Sequence, residues 1–311
     1  MTLVFAAALS LLILQTPAYV PERVFDTRQQ VFVDFEVMLS GIAEVDVVFV
    51  GEMHDDPNTH RLEAAILDGL QRRKRSPVVS LEMFERDAQA SLDAYLANTM
   101  SEEEMLEGTR PWPRYATDYR PLVEFAKSAG WPVVAANVPR AIAQKVARAG
   151  KDAIGQLTEA ERAVTARELQ CPLDGYFDRF AESMSAHPAP NQSEDEKKAM
   201  AERYYWSQCV KDETMAEAIA AALSERSEFR GLALSERSES KGPVVHYNGA
   251  FHSDFGLGTA ERVRRRLPGK RTVVISMLPV EDLNKLQPAG EDLKRADYLV
   301  YTYRTKPPEK E

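Results

Sequence analysis

Short apolar runs alternate with amphipathic stretches along most of this chain. Val45–Val50 (VDVVFV), Val78–Leu81, Val133–Ala136 and Val244–Tyr247 have the length and β-branched content of strands, and Thr272–Met277 and Ala296–Tyr303 extend the set. Between them the period changes. Phe35, Met38, Leu39 and Ile42 recur at helical spacing within Val33–Ile42. Asp56-Pro57 reads as N-cap and first helical residue, and Leu62, Ala65, Ile66, Gly69 and Leu70 give the following helix one buried stripe. Pro77 introduces the second strand. Further helices are predicted over Arg86–Leu96, after the capping box that starts at Ser101, over Pro121–Ala129 to a stop at Gly130, and from Pro139 to Gly150.

Strand and helix in alternation predict an α/β fold: a mostly parallel sheet with helices on both faces. The alternation stops after Gly150. Residues 151–223 contain no strand pattern, whereas Thr158–Leu169 and Glu194–Ala222 read as helices joined by a Pro-containing connection around His187–Asn191. We read 151–223 as a helical insertion between two halves of the α/β domain, 24–150 and 243–304, placed to cover a crevice. Leu223-Ser224-Glu225-Arg226-Ser227-Glu228 recurs as Leu234-Ser235-Glu236-Arg237-Ser238-Glu239. This polar duplicate has too few units for a solenoid, so 224–242 is expected to be a flexible surface loop. Residues 305–311 are expected to form a disordered tail.

Each early strand leads into polar residues. Val45–Val50 runs into Gly51-Glu52-Met53-His54, Val78–Leu81 into Glu82, Val133–Ala136 into Asn137 with Arg140 beyond, and Val244–Val245 through Asn248-Gly249 to His252. Ligands of open α/β sheets bind outside the carboxyl ends of the strands. Glu52, His54, Glu82 and His252 are therefore expected to meet at one rim. Two imidazoles and two carboxylates suit a divalent metal such as zinc, iron or manganese. Without a metal they suit acid–base hydrolysis, because a carboxylate raises the pKa of a nearby His. His60, in the first turns of the next helix, reads as support for this loop. His246 alternates with Tyr247, so only one of the two faces the crevice. His187 reads as solvated.

Composition narrows the function classes. The 311 residues are 44% hydrophobic and 28% charged, as in a globular protein, and the net charge of −9 argues against nucleic acid as the main partner. The basic runs Arg72–Arg75 and Arg262–Arg266 read as solvated helix ends. No Walker, Gly-x-Ser-x-Gly or His-Glu-x-x-His motif occurs. Gly256-x-Gly258 precedes a helix and could cradle an anion, but it lacks the third glycine of a dinucleotide fingerprint. Trp112-Pro113-Arg114-Tyr115, Tyr119-Arg120 and Tyr204-Tyr205-Trp206 offer stacking surface for a flat ligand. Arg114, Arg120 and Arg140 could pair with its carboxylates.

Leu3–Leu14 is too short for a membrane span and is followed by small residues at Thr16-Pro17-Ala18. Residues 1–18 read as an export signal without its basic start, and no lipidation Cys follows. Outside the cytoplasm Cys171 and Cys209 could form a disulfide.

Five motifs then fall in a specific order: Gly51-Glu52-Met53-His54-Asp55, Ser80-Leu81-Glu82-Met83-Phe84, Asn137-Val138-Pro139-Arg140, Gln208 with Lys211-Asp212 and Met215-Ala216, and Gly249-Ala250-Phe251-His252 with Gly256-x-Gly258. Together they resemble the ChaN-like family, the haem-binding uptake group of the Tiki superfamily, over about residues 24–280. The resemblance implies a periplasmic or cell-envelope haem-binding protein linked to iron uptake, with an outer-membrane uptake machinery as partner. It implies haem held between the subunits of a homodimer and ligated by tyrosine. Tyr204, Tyr205 and Tyr247 are the candidates, with Arg140, Gly256 and Gly258 as further cofactor contacts. Relatives in the superfamily are metal-dependent peptidases and erythromycin esterases, so the resemblance also implies a hydrolase built on Glu52, His54, Glu82 and His252.

Overall fold

The computed structural model describes residues 20–185, 193–228 and 241–304. The N-terminal segment, His187, the second copy of the duplicate and the tail lie outside them. Strands β1 (Glu22–Asp26) and β2 (Val31–Val33) precede helix α1 (Phe35–Ile42). Then follow β3 (Val47–Glu52), α2 (Pro57–Arg72) and β4 (Ser76–Glu85). Helices α3 (Gln89–Leu96), α4 (Glu102–Thr109), α5 (Tyr115–Asp118) and α6 (Arg120–Ala129) lead to β5 (Val133–Asn137). Helices α7 (Arg140–Ala149), α8 (Asp152–Gly155), α9 (Glu159–Ala163), α10 (Gly175–Ser185) and α11 (Glu194–Glu228) separate β5 from β6 (Lys241–Gly249). The chain closes with α12 (Gly258–Arg266), β7 (Thr272–Val280), α13 (Asp292–Arg295) and β8 (Tyr298–Tyr303).

The eight strands form one sheet in the order β2-β1-β8-β7-β3-β6-β4-β5. From β8 to β5 every neighbouring pair is parallel, and only β1 is reversed, running antiparallel to both its neighbours, β8 and β2. This is the mostly parallel α/β sheet expected from the strand–helix alternation. Alternate residues of each strand serve opposite faces. Val48 and Val50 of β3 join Ile66 and Leu70 of α2, whereas Val47 and Phe49 join Ile219 of α11 and Val263 of α12. The connection from β3 runs through α2 on one face, and that from β6 runs through α12 on the other. Adjacent strands β3 and β6 thus mark the point where the winding reverses, the place where open sheets bind ligands.

Local chemistry sets the element ends. Asp56 accepts from Asn58 N at 3.2 Å, with Pro57 in the first turn of α2. Ser101 and Glu104 form the expected capping box. At the outer edge of β5 the Gln89 amide accepts from Ala135 N at 2.7 Å and donates to Val133 O at 2.8 Å, so a side chain covers an otherwise open strand edge.

Several expectations are corrected. The helix predicted over Thr158–Leu169 stops at Ala163: the amides of Val164 and Thr165 turn back to Arg162 O, and beyond them amides bond to α11 instead, Ala166 N to Thr214 Oγ1, Arg167 N to Glu217 and Gln170 N to Glu213. In the other direction, α11 runs past Ala222 to Glu228 and takes in the first copy of the duplicate. Strand β4 is also longer than predicted, so Glu82 lies within it. The Arg262–Arg266 run is no solvated helix end. Arg262 is 2% exposed, and Arg262, Arg265 and Arg266 converge on the buried carboxylate of Glu213. Cys171 and Cys209 form a disulfide that ties the chain before α10 to α11.

Candidate functional site

Strands β3, β6 and β4 are neighbours, and their ends carry the rim. Glu52 is the last residue of β3. Its Oε1 bonds His54 Nδ1 and accepts from the Tyr119 hydroxyl at 3.0 Å, and its Oε2 lies 3.3 Å from His60 Nδ1. Across the rim Glu82 Oε2 accepts from Gly249 N at 2.7 Å, and Glu82 Oε1 lies 3.3 Å from His252 Nε2. The four nominated residues therefore form two pairs, Glu52 with His54 and Glu82 with His252.

His54 bridges them. A side-chain carbon placed on Gly249 would lie 2.7 Å from His54 Nε2 and 3.7 Å from Glu82 Oε2. Only glycine lets the imidazole cross the end of β6 at this distance. The His54 side chain is 45% exposed and packs edge-on to Trp112, so it is the part of the network open to solvent.

The second imidazole is clamped. His252 Nδ1 lies 2.7 Å from Asp212 Oδ1 on α11, and Asp212 also accepts from Thr259 and Tyr176, both at 2.8 Å. Burial opposes a charge on His252, but Glu82 and Asp212 outweigh it and push its pKa up to about 10. At neutral pH His252 is a fixed cation. Glu82 is driven down in turn: burial would raise it, but the cations His252 and His54 prevail. Burial likewise opposes the charge on His54, yet Glu52 and Glu82 leave its pKa raised. An exposed imidazole between two ionised carboxylates can exchange a proton with a bound molecule.

Asp212 and Tyr176 were not nominated from sequence. Asp212 stood inside a motif that carried the family resemblance, which was the available signal. Tyr176 gave none, because its hydroxyl reaches Asp212 only through the docking of α10 on α11. His246 faces away from Tyr247 and bonds Ser80 Oγ at 2.9 Å in the interior.

Beside the rim lies a cavity of about 410 Å³, lined by Trp112, Arg140, Phe180, Tyr204, Gln208 and Lys211 among others. Gln208 connects it to the clamp, with Nε2 3.2 Å from His252 Nδ1. Tyr204 is 40% exposed. Tyr205 is buried and donates to Pro172 O, and Tyr247 is buried on the α2 face and donates to Glu63 O. Arg114 pairs with Asp118 and Arg120 with Glu102, whereas Arg140 and Lys211 have no ion-pair partner among the described residues. The glycines near α12 are packed rather than open. A carbon on Gly258 would lie 2.6 Å from His252 O, and one on Gly256 would strike Arg264.

Comparisons with known proteins bear on this arrangement. Residues 38–263 match the family described as haem-binding uptake, Tiki superfamily, ChaN, and the chain belongs to it. No curated protein matches the chain. Among solved structures, ChaN of Campylobacter jejuni, described as binding haem cofacially, is 18% identical with a TM-score of 0.61; the match covers 91% of this chain and 97% of that one. At that identity the likeness is one of fold. A Bacillus cereus protein (11% identity, 86% and 90% coverage, TM-score 0.45) and an erythromycin esterase variant in its open conformation (13%, 88% and 82%, 0.43) are more distant. Among the described residues no helix is long and apolar enough to cross a membrane.

Proposed function

We propose that this member of the haem-binding uptake family takes haem in the cavity beside the rim, with Tyr204 as iron ligand. The observation that carries the reading is selective exposure. Of the three candidate tyrosines, Tyr204 lines the cavity, while the hydroxyls of Tyr205 and Tyr247 are engaged inside the protein. The surroundings fit the ligand's chemistry. Trp112 and Phe180 offer flat apolar contact, and Arg140 and Lys211 are free to pair with two carboxylates. A volume of about 410 Å³ falls within the ~300–1,000 Å³ of ligand pockets. Bound haem would supply an iron that takes an oxygen ligand; the chain would supply the phenol, the stacking surface and the counter-charges. Because the cavity is open, a second copy of the chain could close over the exposed face. We further propose an envelope location and a role in iron uptake. Hemin titration tests the binding claim: the expected result is a saturable, shifted Soret band that weakens at least tenfold in affinity in Tyr204→Phe. An unchanged spectrum and affinity in that variant would remove Tyr204 from the iron.

A second reading, hydrolysis, is favoured by His54, which is exposed and set between Glu52 and Glu82. His54 would pass a proton to or from a bound ester or peptide while cationic His252 holds Glu82 ionised. A screen of ester and peptide substrates that finds no turnover by haem-free protein would end this reading.

A further inference from the structure

Beneath the rim, three side chains from two elements turn toward one another in the interior. Glu52 closes β3, and His60 and Glu63 sit three residues apart on α2. His60 Nδ1 lies 2.9 Å from Glu63 Oε2 and 3.3 Å from Glu52 Oε2. The two glutamate side chains are fully buried, and that of His60 is 4% exposed. Glu52 Oε2 and Glu63 Oε1 have no hydrogen-bond partner. His60 stands between the two glutamates, yet these two oxygens remain unpaired acceptors in a dry interior, and a bound cation would satisfy both.

We propose that Glu52, His60 and Glu63 form a buried site for a divalent first-row cation of the zinc or manganese kind, which shares Glu52 with the Glu52–His54 pair of the rim and is separate from the Glu82–His252 pair and from the cavity. Among the described residues these are the His, Cys, Asp and Glu side chains whose ligand atoms lie together, all within 4.8 Å of one another. Bonds of ~2.0–2.2 Å in a tetrahedron place ligand atoms roughly 3.4 Å apart. The observed 2.9 and 3.3 Å need to open by only a few tenths of an ångström or less.

An independent observation concerns the other side of the ring. His60 Nε2 lies 3.2 Å from the backbone carbonyl of His54 and 3.4 Å from Asp118 Oδ2. Its N–H is committed to those acceptors, so Nδ1 is the atom left to bind. A carbonyl or carboxylate behind a histidine is how metal-bound imidazoles are held. Tyr119 donates to Glu52 Oε1 and so turns Oε2 toward His60. Oxygen and imidazole ligands without a thiolate suit zinc, manganese or ferrous iron. Binding displaces the proton of Nδ1 to solvent, so uptake strengthens as pH rises.

The test uses the haem-free full chain, stripped with chelator, equilibrated with Zn²⁺ or Mn²⁺ and measured by elemental analysis. Near-stoichiometric metal is expected in the wild type. Affinity should fall at least tenfold in Glu63→Gln and stay unchanged in Glu82→Gln, which alters only the rim; circular dichroism checks that each variant folds. Proton release on adding Zn²⁺ to the wild type gives a readout that needs no variant. No uptake by the wild type would mean that a shared proton holds the cluster together, and equal loss in Glu82→Gln would put the metal at the rim; either result overturns the proposal. Hemin binding is scored separately, so failure here leaves the haem reading intact.

Discussion

Replacing Asp212 by Asn removes one negative charge from beside a buried imidazole with little change of shape. His252 holds its proton far more tightly in the folded chain than when exposed, its pKa rising from 6.5 to about 10. At ~1.4 kcal/mol per pH unit this is a net of about 5 kcal/mol, the attraction of two carboxylates less the cost of burial. Asp212 at 2.7 Å and Glu82 at 3.3 Å share it, so neutralising Asp212 should cost about 2–3 kcal/mol. The Asn amide would also face the Tyr176 hydroxyl, which now donates to Asp212. For a chain of this size that corresponds to a fall in Tm of roughly 3–5 °C. The pKa is raised on folding, so this contribution is complete below pH 6.5. It is lost as pH climbs toward 10, because the unfolded chain gives up a proton that the folded chain keeps. Urea unfolding followed by Trp112, Trp131 and Trp206 fluorescence at pH 6, 8 and 10 measures it. The gap between wild type and Asp212→Asn should be widest at pH 6 and shrink steadily. A gap of constant size, or none at pH 6, would refute the claim that His252 is a clamped cation.

Two more outcomes are expected. His54→Ala should leave stability within about 1 kcal/mol of wild type, because the side chain is 45% exposed, while abolishing any ester or peptide turnover; activity that survives would place the proton transfer elsewhere. Reduction of Cys171–Cys209, which are 38 residues apart, should cost ~4 kcal/mol by loop-closure entropy, and an unchanged urea midpoint with both thiols titratable would contradict it.

The strand–helix alternation, the cap at Asp56-Pro57, the capping box at Ser101 and the gathering of polar residues at strand ends were legible in the chain, because each rests on periods and neighbours a few residues apart. Glu52, His54, Glu82 and His252 could be nominated on that basis. Their division into two pairs could not, since it depends on β6 lying between β3 and β4 and on a glycine at its end letting His54 cross. Nor could the choice among three tyrosines: Tyr204 and Tyr205 are neighbours in sequence, but helical geometry turns one to the cavity and the other into the core. Asp212, Tyr176 and the Glu63–His60–Glu52 cluster acquire meaning only when α10, α11 and α2 dock on the sheet. A buried polar group is defined by what surrounds it, and those surroundings come from distant parts of the chain.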